Sequence, residues 1–136
     1  MTQDKRDLLL KDLSARLTYG VKCVSGVDDA TLIIEGINPK CNGASEVQVT
    51  FERNGINFGT QISTIKPYLF PLSSMSKEQE KEFNQLLELE LKAISDEIDH
   101  AQVTAFEIDF YNKHHFDWRG LIPMGLAEDA TDLNIY

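Results

Sequence analysis

Two cysteines, one tryptophan, four prolines and eight glycines are all that 136 residues contain of those types, and no apolar run is long. Each scarcity excludes something. A membrane-crossing helix needs roughly 18 or more consecutive apolar residues, and no run here approaches that. The opening MTQDKRDLLLKDL is charged from residue 4 and has only three consecutive apolar residues, so it lacks the apolar core of a secretion signal. A cytoplasmic location and no membrane contact are therefore expected. Cys23 and Cys41 lie 18 positions apart on separate elements, and a reducing compartment argues against a bridge. Two free thiols are expected.

Basic clusters are missing as well. A phosphate backbone is gripped by grouped Lys and Arg that release counterions, so direct nucleic-acid binding is not expected. Nor does the chain carry a Gly-x-Ser-x-Gly elbow, a phosphate loop, a Gly-x-Gly-x-x-Gly turn or a His-Glu-x-x-His pair, the local arrangements on which common hydrolytic, nucleotide and metal chemistries rest. No cofactor is implied.

What is present suits one domain. With 42% hydrophobic residues in 136, the chain can bury a single core without metals or disulfides. The net charge of −9 is uneven: residues 76 to 109 hold ten acids against three lysines, whereas residues 1 to 20 sum to +1. Acidity is thus concentrated on one helical stretch, a face that is solvated or meets a basic partner.

Leu9, Leu10, Leu13 and Leu17 recur at helical spacing over residues 4 to 18, with Gly20 just beyond, which predicts an amphipathic N-terminal helix. VKCV, TLIIEGI and the alternating VQVTFE at 47 to 52 predict short strands. Asn54-Gly55 predicts a type I′ hairpin turn, with a partner strand running to about Ile62 or Ile65. Lys66-Pro67 is expected to end that strand, and PYLFPLSSM to be an irregular connection. Ser76 with Gln79 fits a capping box opening a long helix along Phe83, Leu87, Leu91, Ile94 and Ile98. Thr104 with Glu107 repeats the signature, so a second helix is expected from 105. The fold class predicted is α+β: an N-terminal helix, a small antiparallel sheet of three or four strands, and two C-terminal helices packed on one face, all in a single domain.

The densest chemistry lies in DFYNKHHFDWRGLIPMGLA, residues 109 to 127. On a helix from 105, Phe106, Phe110 and His114 form one stripe, and Ile108, Tyr111 and His115 another. One imidazole would serve as a base or ligand oriented by Asp109 or Asp117; alternatively both histidines simply close apolar stripes near a negative helix end. Arg119 would clamp a carboxylate or phosphate, or pair with Asp117 or the acidic helix and hold the C-terminal segment. Gly120 and Gly125 are expected at positive φ. Trp118, if exposed, would mark an interface together with Arg119, and Tyr136 closes a tail that docks on the body or on a partner. Zinc held by Cys23, Cys41 and a histidine is chemically allowed, but no Cys-x-x-Cys or His-x₃₋₅-His spacing supports it. Asp28-Asp29 and Asp96-Asp99 read as solvated turn and helix carboxylates.

Three stretches, LLLKDLSARLTYGVK (8 to 22), IKPYLFPLSSMSKEQ (65 to 79) and IDFYNKHHFDWRGLIPMGLA (108 to 127), resemble a group of short bacterial proteins met in phage and other mobile-element contexts. The resemblance implies a bacterial cytoplasm and an accessory role. It brings no activity with it, so no catalytic role passes to any residue. The leading expectation is a small non-enzymatic binding or regulatory module with a protein partner, contacted through the acidic helix or the C-terminal segment. A hydrolase-like enzyme built on Asp109, His114, His115, Asp117 and Arg119 is the alternative. A nucleic-acid-mimicking decoy would need an unbroken carboxylate face, which Lys77, Lys81 and Lys92 interrupt.

Overall fold

A computed structural model describes residues 1–38, 45–93 and 100–136. The element order is helix α1 (Gln3–Arg16), strands β1 (Lys22–Ser25), β2 (Thr31–Ile37), β3 (Val47–Phe51), β4 (Asn57–Thr60) and β5 (Ile65–Pro71), helices α2 (Lys77–Ala93) and α3 (His100–Lys113), and two-residue strands β6 (Phe116–Asp117) and β7 (Glu128–Asp129). The α+β class holds, but the sheet is larger than expected and mixed. β4, β3, β2, β1 and β5 run antiparallel in that spatial order, and β6 and β7 each pair with β5 in parallel. None of the described helices is long and apolar enough to cross a membrane.

The main correction is β5. Residues 65 to 71 form a strand, not an irregular connection, and Pro67 sits within it opposite Cys23. Hydrogen-bonded pairs alternate along an antiparallel ladder. Because Gly26 N–H donates to the Thr64 carbonyl, the bonded partners are Gly26 with Thr64 and Val24 with Lys66. Pro67 falls at a non-bonded position, where its missing N–H costs the ladder nothing. The Asn54-Gly55 hairpin exists, but only Gly55 has a positive φ, 72°. Four residues separate the closing pair, in which Phe51 N–H donates to the Ile56 carbonyl; this longer loop replaces the two-residue type I′ turn. β4 stops at Thr60, and Ile62–Thr64 form a 3-10 turn that buries Ile62.

α1 is capped by Thr2, whose hydroxyl accepts from Lys5 N–H, and runs on into a 3-10 turn, Leu17–Tyr19, that Gly20 closes at φ 74°. It lays Leu9, Leu10 and Leu13 on the inward face of the sheet, formed by Cys23, Leu32, Ile34, Val47, Val49, Ile65 and Leu69. Burying such side chains stabilises by about 1.5–3 kcal/mol each. The C-terminal helices are not laid side by side on that face: α3 packs on α1 and β6, and α2 packs on α3. Phe83 of α2 supplies the join, its ring 5.8, 5.0 and 5.9 Å from Phe106, Phe110 and Tyr111. The Ser76/Gln79 box forms as expected, at 2.9 and 3.1 Å. α3 already runs from His100, so Thr104 lies inside it rather than at its cap. Cys41, Ile94, Asp96, Ile98 and Asp99 lie outside the described residues.

Candidate functional site

The motif at 109 to 127 is mostly occupied with holding the chain together. Asp109 lies exposed on α3. Asp117, largely buried, accepts the Leu121 N–H on one carboxylate oxygen at 2.8 Å and the Ile122 N–H on the other at 2.9 Å, which folds the chain back after β6. Gly120 and Gly125 have positive φ, as expected. Among the described residues, Arg119 pairs neither with Asp117 nor with the acidic helix. Its Nε donates to Asp12 Oδ1 at 3.1 Å, and its guanidinium lies 4.0 Å from the centre of the Trp118 ring. Trp118 is half-buried and donates from Nε1 to Asn112 Oδ1 at 2.8 Å, so neither its ring nor its N–H stands free as an exposed hot spot would.

Behind Arg119 lies an ion pair that the sequence reading missed. Asp12 and Arg16, one turn apart on α1, both have fully buried side chains and meet at 2.8 Å. Arg16 Nη2 donates to the Phe116 carbonyl at 2.7 Å, while Nη1 is buried with no hydrogen-bond partner among the described residues. The signal was present: residues 9, 12, 13 and 16 share one helical stripe with Leu9 and Leu13, so Asp12 and Arg16 point inward.

The two histidines occupy different surroundings. His114 continues the Phe106–Phe110 stripe; its ring lies 4.5 Å from Phe110 and 6.5 Å from Phe116. Its Nε2 stands 3.9 Å from Glu82, beyond hydrogen-bond reach. His115 does not continue the second stripe. It lies past the end of α3 at φ 62°, which turns its ring onto Tyr136 in a stack at 3.6 Å and 8°. Burial, and then the positive charge of Arg16, hold its proton affinity down to about 4. His115 is therefore neutral near pH 7, and a charge complementing the helix end is not its role.

Tyr136 docks on the body. Its hydroxyl donates to the Tyr68 carbonyl at 2.9 Å and accepts from Lys22 N–H at 2.9 Å, and Lys22 Nζ donates to the Ile135 carbonyl. Burial pushes its hydroxyl well above the ordinary tyrosine range, so it stays protonated. Cys23 is a free thiol, its proton affinity pushed up to about 12 by burial, which keeps it inert. Among the described residues, no three His, Cys, Asp or Glu side chains are arranged to hold a metal ion.

An open cleft of about 450 Å³ lies elsewhere, where β1, β5 and the segment after β7 meet. Its lining includes Val24, Asp29, Lys66, Tyr68, Glu128 and Leu133 and none of the five proposed acid, base and clamp residues. Burial pushes the Tyr68 hydroxyl up, a hydrogen bond with the Thr31 side chain opposes this, and the charges of Glu128 and Asp29 add to the rise. Lys66 Nζ stands 3.7 Å from Glu128 Oε1, both side chains about half exposed (49% and 48%). Only Glu128 and Leu133 belong to the C-terminal segment read from sequence. The rest come from elements far apart in the chain, with no local signature. Comparison with protein-family models, curated proteins and solved structures returns no match.

Proposed function

We propose that this chain is a small, non-enzymatic protein-binding or regulatory module of the bacterial cytoplasm, in an accessory role, and that the cleft at β1, β5 and the post-β7 segment is its docking surface. One observation carries the reading: the cleft has the size of a recognition pocket and mixes apolar walls with charges of both signs, yet none of Asp109, His114, His115, Asp117 or Arg119 reaches it. Asp117 and Arg119 are occupied by the Leu121 and Ile122 N–H groups and by Asp12. General acid or base work needs groups converging on one reacting position, and these side chains are spread over separate contacts. Leu133, half exposed on the cleft wall, and Val27, 84% exposed on the β1–β2 turn, offer apolar contact.

A photo-crosslinking amino acid at Ser63, on the cleft rim, is expected to trap one discrete protein in host cells. The same probe at Lys11 on α1 should trap none, and Leu133→Asp should abolish the Ser63 adduct. Equal labelling from both positions, or none from either, refutes the reading.

A further inference from the structure

We propose that the cleft takes a basic side chain, lysine or arginine, presented by a partner protein. This rests on the reading of the chain as a protein-binding module and names the chemistry of its partner. Asp29, from the β1–β2 turn, and Glu128, from β7, line the same cleft as Tyr68. Two carboxylates from separate elements thus share one cleft with the apolar Val24 and Leu133. That combination matches an amphipathic cation, whose methylene stem lies along apolar walls while its charged head is held by carboxylates.

Lys66 is the local competitor, and it is a weak one. At 3.7 Å from Glu128, with both groups about half exposed, the pair is a loose, solvent-screened one that an incoming guanidinium can displace. An acidic ligand would instead desolvate Asp29 and Glu128 without neutralising them, which costs affinity. The chain's charge of −9 steers a basic partner toward it. The occupant is a side chain on a protein rather than a free amine, because Val27, on the turn whose Gly26 and Asp29 line the cleft, presents apolar surface that a small cation would leave uncovered.

The test uses the intact chain, ¹⁵N-labelled, and two seven-residue peptides that differ only at the centre, arginine between two valines in one and glutamate in the other. The arginine peptide is expected to shift the Gly26, Ser63 and Thr64 amides in a saturable way, at least tenfold more tightly than its glutamate twin or free arginine. The double variant Asp29→Asn/Glu128→Gln should lose that binding at least tenfold with unchanged thermal unfolding, since both sites are exposed and asparagine accepts the φ of 57° at position 29. Glu52→Gln, outside the cleft, should bind as the parent does. Equal response to both peptides, no response, or equal binding of free arginine overturns the proposal. Crosslinking from Ser63 that persists in the double variant also overturns it while leaving the binding reading intact; crosslinking lost in that variant supports it.

Discussion

Replacing Asp12 by alanine should be among the most damaging single changes in this domain. Asp12 accepts Arg16 Nε at 2.8 Å and Arg119 Nε at 3.1 Å, and the Asp12 and Arg16 side chains are wholly excluded from solvent. Removing the carboxylate leaves the Arg16 guanidinium buried with one acceptor, the Phe116 carbonyl. Stripping one partner from a buried pair costs about 3–5 kcal/mol, against total stabilities of about 5–15 kcal/mol for domains of ordinary size. The midpoint of thermal unfolding should fall by about 10–20 °C. Urea unfolding followed by tryptophan fluorescence suits the measurement, because the single Trp118 lies against Arg119 in the same network. Circular dichroism should report the same transition. The double variant Asp12→Leu/Arg16→Met should recover much of the loss, since apolar groups of similar size replace buried ion pairs at little cost. If Asp12→Ala lies within 1 kcal/mol of the parent, or the double variant is as unstable as the two single changes summed, the pair does not carry this load.

Three further outcomes follow from the same contacts. His115 titrates at about 4 when folded and near 6.5 when unfolded, so between those values the unfolded chain binds more protons. Its contribution is complete above about pH 6.5 and lost as pH falls through about 4, by at most about 3 kcal/mol; urea midpoints of His115→Gln should depend less steeply on pH over that range, and an unchanged slope would count against the burial described. Asp117→Ala should cost about 2–3 kcal/mol by orphaning the Leu121 and Ile122 N–H groups, with faster amide exchange at those two positions as the local readout. Ser76→Ala should cost about 1 kcal/mol and speed exchange in the first turn of α2 while leaving β1 and β5 protected; uniform loss of protection would mean that α2 unfolds only with the whole domain.

α1, β2 and β3 were legible because their patterns are local: a leucine stripe, a β-branched run and a strict alternation. The capping box at Ser76 was legible for the same reason, since both partners lie within four residues. β5 was not, because Pro67 is acceptable only at a non-bonded position of the ladder, and the register that places it there, opposite Cys23, is set by a strand 44 positions away. His115 was misread because helical periodicity was extended beyond Lys113, where a single left-handed residue redirects the ring. Asp12 and Arg16 lie on the inward leucine stripe of α1, yet the partners that make their burial tolerable, Phe116 and Arg119, are 100 and 107 positions away and leave no local pattern. The motif at 109 to 127 stands out in sequence for its density of chemical groups, but only Arg119 turns to α1, while Asp117 binds its own chain and Asp109 stays exposed.

The pairing of Arg16 with Phe116 spans 100 positions, and this sets a schedule for synthesis. At the usual elongation rate of about 5–20 residues per second, the first helix spends roughly 5–20 s with its guanidinium turned toward a core that lacks its acceptor. The strands between can pair with one another in that time, yet the surface beneath α1 stays unfinished until the segment around Phe116 emerges. The domain is therefore completed only once the segment around Phe116 has been made, and fragments ending before Phe116 should be poor folders and good chaperone clients.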